Sequence, residues 1–218
     1  MTHPIFPSIL STNFFDLEER LKQFAKNKID FIHLDVMDGH LVSNLSFGPS
    51  MAKSIKSKFP FKIDAHLMVD PPQHMIQWFI DAGSDWISFH LEASGDVEKN
   101  IAAIKDRGCK AGLAINPDIE VEKLFPYLES VDFVLLMSVF AGYGGQKFME
   151  TTLQRVETVK NKIDELGTQC TIQVDGGLNA DNIPTLREKG ADHFVVGTYL
   201  FNSENVDGTV AKLVTDLN

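Results

Sequence analysis

Eight short apolar segments recur along the chain: Ile5–Leu10, Phe31–Val36, Lys62–Met68, Trp86–His90, Lys110–Ile115, Phe133–Val139, Cys170–Val174 and His193–Val196. Amphipathic helical stretches lie between them, among them Asp16–Asn27, Pro72–Ala82, Val97–Arg107, Thr152–Leu166 and Ile183–Lys189. Asp16 stands near a helix start, and Gly108, Gly167 and Gly190 stand where helix C-caps belong. Strands alternating with helices about every 25 residues give a βα repeat and a parallel sheet. Eight repeats favour an α/β fold of the closed (β/α)8 TIM barrel type over an open doubly wound sheet. Periodicity alone does not separate the two, but no GxGxxG follows the first segment, as a dinucleotide-binding open sheet would need. No linker or low-complexity stretch divides residues 1–218, which are expected to form one barrel domain.

The formal charge of −10, from 20 Lys+Arg and 30 Asp+Glu, argues against a nucleic-acid footprint or an anionic membrane surface. An anionic small molecule stays possible if backbone N–H groups or a metal supply the positive potential. Cys109 and Cys170 form no CxxC pair and are read as small buried hydrophobes in a reducing compartment. The N-terminal residues lack a signal-peptide pattern, and the longest apolar run, Phe133 to Ala141, is far shorter than the ~20 residues of a membrane helix. The expectation is a cytoplasmic protein.

Polar residues interrupt the strands in a pattern. In Phe31–Val36 the period of two puts His33 and Asp35 on one face, with Ile32, Leu34 and Val36 on the other. Ile32, Leu34 and Val36 would pack under the helices, so His33 and Asp35 point into the barrel, where burying a carboxylate costs several kcal/mol unless it is paired or metal-bound. The third strand carries His66 and the seventh ends at Asp175. If the barrel closes, His33, Asp35, His66 and Asp175 converge at its C-terminal mouth, and two imidazoles with two carboxylates suit Zn, Fe(II), Mn or Co. Each residue also has a plainer reading: a hydrogen-bonded core histidine, or an Asp in a turn before Gly-Gly. On the residues alone, both readings stand. Asp38-Gly39 is read as a turn, His90 and Glu92 as supports behind the ligands, and His3, His40, His74 and His193 as surface or helix-face residues.

Glycine-rich loops follow the last three strands: Gly142-Tyr143-Gly144-Gly145-Gln146, Gly176-Gly177 and Gly197-Thr198. One such loop could merely permit a tight turn. Three in adjacent units favour a phosphate cradle built from backbone N–H groups.

These residues resemble the ribulose-phosphate 3-epimerase family. The matching stretches are Pro7-Ser8-Ile9-Leu10-Ser11, His33-Leu34-Asp35-Val36-Met37-Asp38-Gly39, Asn44-Leu45-Ser46-Phe47-Gly48-Pro49, His66-Leu67-Met68-Val69, Gly142 to Phe148, and Val174-Asp175-Gly176-Gly177. They run in the family's order from about residue 4 to the C-terminus. The resemblance implies a phosphate-binding barrel that interconverts D-ribulose 5-phosphate and D-xylulose 5-phosphate with one divalent metal. It implies His33, Asp35, His66 and Asp175 as metal ligands, and Asp35 and Asp175 as the acid/base pair. Ser8, Met37 and His66 would line the sugar site. Gly142, Tyr143, Gly144, Gly145, Gly176, Gly177, Gly197 and Thr198 would hold the phosphate, beside Asp175. Inversion at C3 needs a carboxyl on each face of an enediolate, whose charge the metal would stabilise. The partner is thus a small sugar phosphate, and the family implies a homo-oligomer.

Family members commonly read Asn-Pro-Gly-Phe-Gly-Gly after strand six, whereas this chain reads Phe140-Ala141-Gly142-Tyr143-Gly144-Gly145. Ser43 and Leu91 stand where proline is common. A looser or reshaped substrate loop is expected, with the metal chemistry intact. The nearest rival reading is a 3-epimerase of a six-carbon ketose phosphate such as D-allulose 6-phosphate. A catalytically silent phosphosugar-binding protein is a rival from another class. A related decarboxylase pattern, Asp-x-Lys-x-x-Asp, is broken by Met37 at the lysine position.

Overall fold

In a computed structural model describing residues 3–215, the strands are β1 Ile5–Pro7, β2 Phe31–Met37, β3 Lys62–Met68, β4 Trp86–His90, β5 Lys110–Ile115, β6 Phe133–Met137, β7 Thr171–Asp175 and β8 His193–Val196. All pair in parallel in the order β1-β8-β7-β6-β5-β4-β3-β2. A bridge between Ser8 and His33 joins the two ends, so the sheet closes into the expected (β/α)8 barrel. The helices are α1 Leu17–Lys26, α2 Pro49–Lys58, α3 Gln73–Asp81, α4 Val97–Lys105, α5 Thr151–Leu166, α6 Ile183–Glu188, α7 Thr198–Phe201 and α8 Val206–Thr215. Between β5 and β6 the connection is a 3-10 segment, Val121–Tyr127, with Pro126 inside it. Among the described residues, no helix is long and apolar enough to cross a membrane.

Several boundaries differ from expectation for local reasons. β1 stops at Pro7 because Ser8 caps the next turn, its Oγ accepting the Leu10 N–H at 3.3 Å. β6 stops at Met137 because Ser138 turns to β7, donating its N–H to Asp175 O and its Oγ–H to Gly176 O. Gly167 closes α5 at φ 66°, in the left-handed region expected of a C-cap glycine.

The barrel floor follows a repeat in the sequence. Asp30, Asp85, Asp132 and Asp192 each precede an even-numbered strand, and each is followed by a ring: Phe31, Trp86, Phe133 and His193. Each carboxylate accepts a backbone N–H at or just before the preceding odd strand, from His3 at 2.7 Å and from Ile63, Ala111 and Ile172 at 2.9 Å each. The four rings form one inward layer from alternate strands. Trp86 lies 5.0 Å from Phe31, 4.7 Å from Phe133 and 5.1 Å from His193, and Phe6 stacks on Phe31 at 4.6 Å. His193 is therefore not the surface or helix-face residue its sequence context suggested. It is the fourth ring of the floor, and burial lowers its pKa to about 4. Gly112 is fixed by the same layer, since a Cβ there would lie 2.2 Å from the Phe133 ring.

Outside the barrel, Ile32, Leu34 and Val36 alternate away from His33 and Asp35 and join the apolar layer under the helices, as the period of two requires. Both cysteines are free; Cys170 is buried and Cys109 half-buried, and desolvation raises both thiols, Cys170 to about 12. Such thiols behave as small packing groups.

Candidate active site

Above the floor, the inward positions turn polar. β2 contributes His33 and Asp35, β3 contributes Asp64 and His66, and β7 contributes Gln173 and Asp175. His33, Asp64, His66 and Gln173 are fully buried, Asp35 nearly so, and the Asp175 side chain is 14% exposed toward the mouth. His33 Nε2 lies 3.5 Å from Asp35 Oδ1 and 3.7 Å from Asp175 Oδ2; His66 Nδ1 lies 3.4 Å and 3.8 Å from the same two oxygens. One donor atom from each residue falls within 4.8 Å of all the others, so the structure brings together the four residues expected to converge.

Each group is oriented from behind. His33 Nδ1 meets Asp64 Oδ2 at 2.7 Å, and the Gln173 amide donates to that oxygen at 2.7 Å. With Nδ1–H donating to Asp64, His33 Nε2 faces the cluster. Ser8 Oγ donates to Asp35 Oδ2 at 2.5 Å, leaving Oδ1 toward the histidines. Ser46 Oγ donates to the Asp35 carbonyl and accepts the Met37 N–H at 3.0 Å. His90 Nε2 meets His66 Nε2 at 2.9 Å, and Glu92 Oε1 lies 3.5 Å from His90 Nδ1, so both stand behind the cluster as expected.

The two carboxyls are driven apart. Burial alone would raise Asp35, but the charge of His33 and the close approach of both imidazoles, His33 at 3.5 Å and His66 at 3.4 Å, outweigh it and hold Asp35 below the usual carboxylate range. Burial and then the charge of Asp35 raise Asp175 to about 8. Burial opposes a charge on His33, yet Asp64 and Asp35 hold its pKa well above the ordinary value; burial lowers His66 to about 4. The two environments thus push the carboxyls in opposite directions, and the pair titrates as a unit that favours holding a single proton.

A cavity of about 570 Å³ opens over the cluster at the C-terminal mouth, with Ser8, Asp35, Met37 and Asp175 at its base. The glycine loops form its rim. Gly142, Gly145, Gly176 and Gly177 have φ of 120°, 77°, 121° and 63°, and a Cβ on Gly177 would meet the Phe148 amide at 2.5 Å. Thr198 Oγ1 hydrogen-bonds Ser11 Oγ at 3.0 Å between the loops, and a Cβ on Gly144 or Gly197 would approach Ser11 Oγ to 2.9 or 3.1 Å. Ser11 therefore belongs to this rim, although the reading of the sequence gave it no role. Met68 and Met137 line the cavity beside Met37 and were likewise passed over. Each is the last, inward-facing residue of its strand, which period-two counting from His66 and Phe133 locates.

The loop carrying Phe140 and Ala141 is held by several hydrogen bonds. The Asn44 amide donates to Gly142 O at 2.7 Å, and the Tyr143 hydroxyl donates to Ser43 O at 2.8 Å. Gln146 donates to Phe140 O and Tyr143 O, and the Ala141 N–H donates to Asn116 Oδ1 at 3.0 Å. Tyr143 lines the cavity but commits its hydroxyl to Ser43.

With fold and site in place, comparison with known proteins is direct. Residues 4–201 match the Ribulose-phosphate 3 epimerase family. The chain is 42% identical over 206 residues to ribulose-phosphate 3-epimerase 2 of Cupriavidus necator, covering 93% of this chain and 86% of that one. It is 39% identical over 214 residues to ribulose-phosphate 3-epimerase of Escherichia coli, covering 98% and 95%. Among solved structures, 3-hexulose-6-phosphate synthase from Salmonella typhimurium superposes with a TM-score of 0.73 at 16% identity, over 98% of each chain, which is a likeness of fold. With that identity sustained across a barrel whose mouth gathers two histidines and two aspartates, the chain belongs to the ribulose-phosphate 3-epimerase family.

Proposed function

We propose that this chain is a metal-dependent 3-epimerase that interconverts D-ribulose 5-phosphate and D-xylulose 5-phosphate, with Asp35 and Asp175 as the acid/base pair. The observation that carries this reading is geometric: Asp35 and Asp175 bring their carboxyl oxygens into one buried cluster with His33 and His66 at the base of the mouth cavity, and the opposite directions in which burial and neighbouring charge push the two carboxyls support it. Epimerisation needs one carboxyl of the pair free and the other carrying a proton. Asp35 removes the C3 proton from one face of the sugar; Asp175, which takes a proton back from solvent in the working complex, gives it to the opposite face. The C3–H bond that breaks becomes the O–H of Asp35, and the Asp175 O–H becomes the new C3–H bond. The reverse reaction starts from the exchanged state of the same pair.

The donor set fits a divalent cation. His33 Nε2 and His66 Nδ1 are buried, have no hydrogen-bond partner among the described residues, and point at the two carboxylate oxygens. Unpartnered buried imidazole nitrogens beside carboxylates are what an N2O2 metal site provides, and the mixed set suits Zn, Fe(II), Mn or Co. When bound, such an ion supplies positive charge that stabilises the enediolate oxygens. Ser8 keeps Asp35 Oδ1 turned to the cluster, and Met37, Met68 and Met137 exclude water from the sugar. The amides of Gly142, Gly144, Gly145, Gly176, Gly177 and Gly197 hold the phosphate with the hydroxyls of Thr198 and Ser11, so the acidic chain needs no lysine there. The family resemblance carries one further reading, a homo-oligomer, and the two free cysteines support the reading of a reducing, cytoplasmic setting.

The test is a coupled epimerisation assay on Asp35→Asn and Asp175→Asn. Each removes a proton carrier, and kcat is expected to fall at least about 1000-fold. Near-normal kcat in either variant refutes the assignment.

A further inference from the structure

Behind His66 a line of hydrogen bonds runs from the cluster to the loop after β6, and its polarity is fixed from the far end. Glu92 Oε1 accepts the Asn116 backbone N–H at 2.9 Å and its side-chain amide at 3.0 Å, which anchors the carboxylate. The same oxygen lies 3.5 Å from His90 Nδ1. A carboxylate accepts only, so it favours the His90 form with its proton on Nδ1. His90 Nε2 is then a lone pair, and at 2.9 Å it must accept from His66 Nε2–H. His66 is thereby left with its Nδ1 lone pair aimed at Asp35 and Asp175, where Nδ1 has no partner. At the other end, Asn116 Oδ1 accepts the Ala141 N–H at 3.0 Å, a bond a proline at 141 could not donate. Arg155 clamps the junction, donating to the carbonyls of Asn116 at 2.8 Å and Met137 at 3.0 Å.

We infer that Glu92 and Asn116 are positioning residues that act through His90 to set the tautomer of His66, and that the Ala141 N–H ties this line to the substrate-facing loop. The inference deepens the proposed metal site and rests on His66 being a ligand. A metal-binding histidine commonly donates its second N–H to a carboxylate; here a second imidazole stands between.

The tautomers are read directly from long-range 1H–15N correlation spectra of 15N-histidine-labelled, metal-free protein, and metal affinity from Co2+ titration without substrate. The full chain is expected to show His66 as the Nε2–H form and His90 as the Nδ1–H form. Glu92→Ala is expected to mix the His66 tautomers and weaken Co2+ binding about 10- to 100-fold. Glu92→Gln, which keeps an acceptor oxygen, should stay within about threefold. Ala141→Pro should weaken Co2+ binding in the same direction, by about 10-fold, while Ala141→Gly leaves it unchanged. If Glu92→Ala does not fold, Glu92→Leu, which also removes the acceptor, supplies the same readout. Retention of the pure Nε2–H form of His66, with unchanged Co2+ affinity, in Glu92→Ala or Glu92→Leu overturns the inference. Should the unsubstituted chain bind no Co2+, the metal reading fails, and the tautomer spectra still decide the relay.

Discussion

Lowering the pH from 8 to 6 is expected to weaken divalent-metal binding by at least about 100-fold. A metal ligand must be deprotonated. In the metal-free protein Asp175 is held protonated up to about pH 8 by burial and by the charge of Asp35. At pH 6 only about one Asp175 in a hundred is ionised, and removing its proton costs binding roughly two powers of ten. His33, held above its ordinary pKa by Asp64 and Asp35 against burial, must also give up a proton and steepens the dependence. His66, lowered to about 4, is already neutral and adds nothing in this window. The sign is fixed: affinity rises with pH until these groups ionise, then levels off. Calorimetric titration of Zn2+ in buffers of different ionisation enthalpy counts the protons released. Two protons near pH 6 and one in Asp175→Asn is the expected pattern. A flat affinity between pH 6 and 8, or a slope that Asp175→Asn leaves unchanged, refutes the reasoning.

Two predictions concern the floor. Below its ordinary pKa of 6.5, His193 takes up a proton in the unfolded chain that the fold refuses down to about pH 4, so acid lowers stability through this residue. His193→Phe should complete the aromatic layer, and its unfolding free energy in urea should fall about 2 kcal/mol less than that of the parent between pH 7 and pH 5. Identical pH slopes would count against the assignment. Gly112→Ala drives a methyl into the buried Phe133 ring and should destabilise by about 1 to 3 kcal/mol in the same assay; a change under about 0.5 kcal/mol would mean the floor can relax.

The barrel was legible because its signals are local. Period-two alternation in Phe31–Val36 separates His33 and Asp35 from the aliphatic face, and closure of the sheet brings His66 and Asp175 to the same mouth. His193 was misread because a histidine at a strand start carries no burial signal by itself. Only alignment of Asp30-Phe31, Asp85-Trp86, Asp132-Phe133 and Asp192-His193 reveals it as a ring position. Ser11 escaped because its role depends on Thr198, 187 residues away. The replacement of Asn-Pro by Phe140-Ala141 pointed to a looser or reshaped loop; the bond from the Ala141 N–H to Asn116 was not legible, because no local pattern marks Asn116 as its acceptor.

Both carboxyls act on C3 of the substrate. Proton NMR of the Zn2+-loaded protein with D-ribulose 5-phosphate in D2O should show the C3 proton lost to solvent deuterium as D-xylulose 5-phosphate appears, both stopped by a chelator. A protein with metal demonstrably bound, yet showing neither C3 exchange nor xylulose 5-phosphate, would contradict the assignment of Asp35 and Asp175 as a pentose-phosphate epimerising pair.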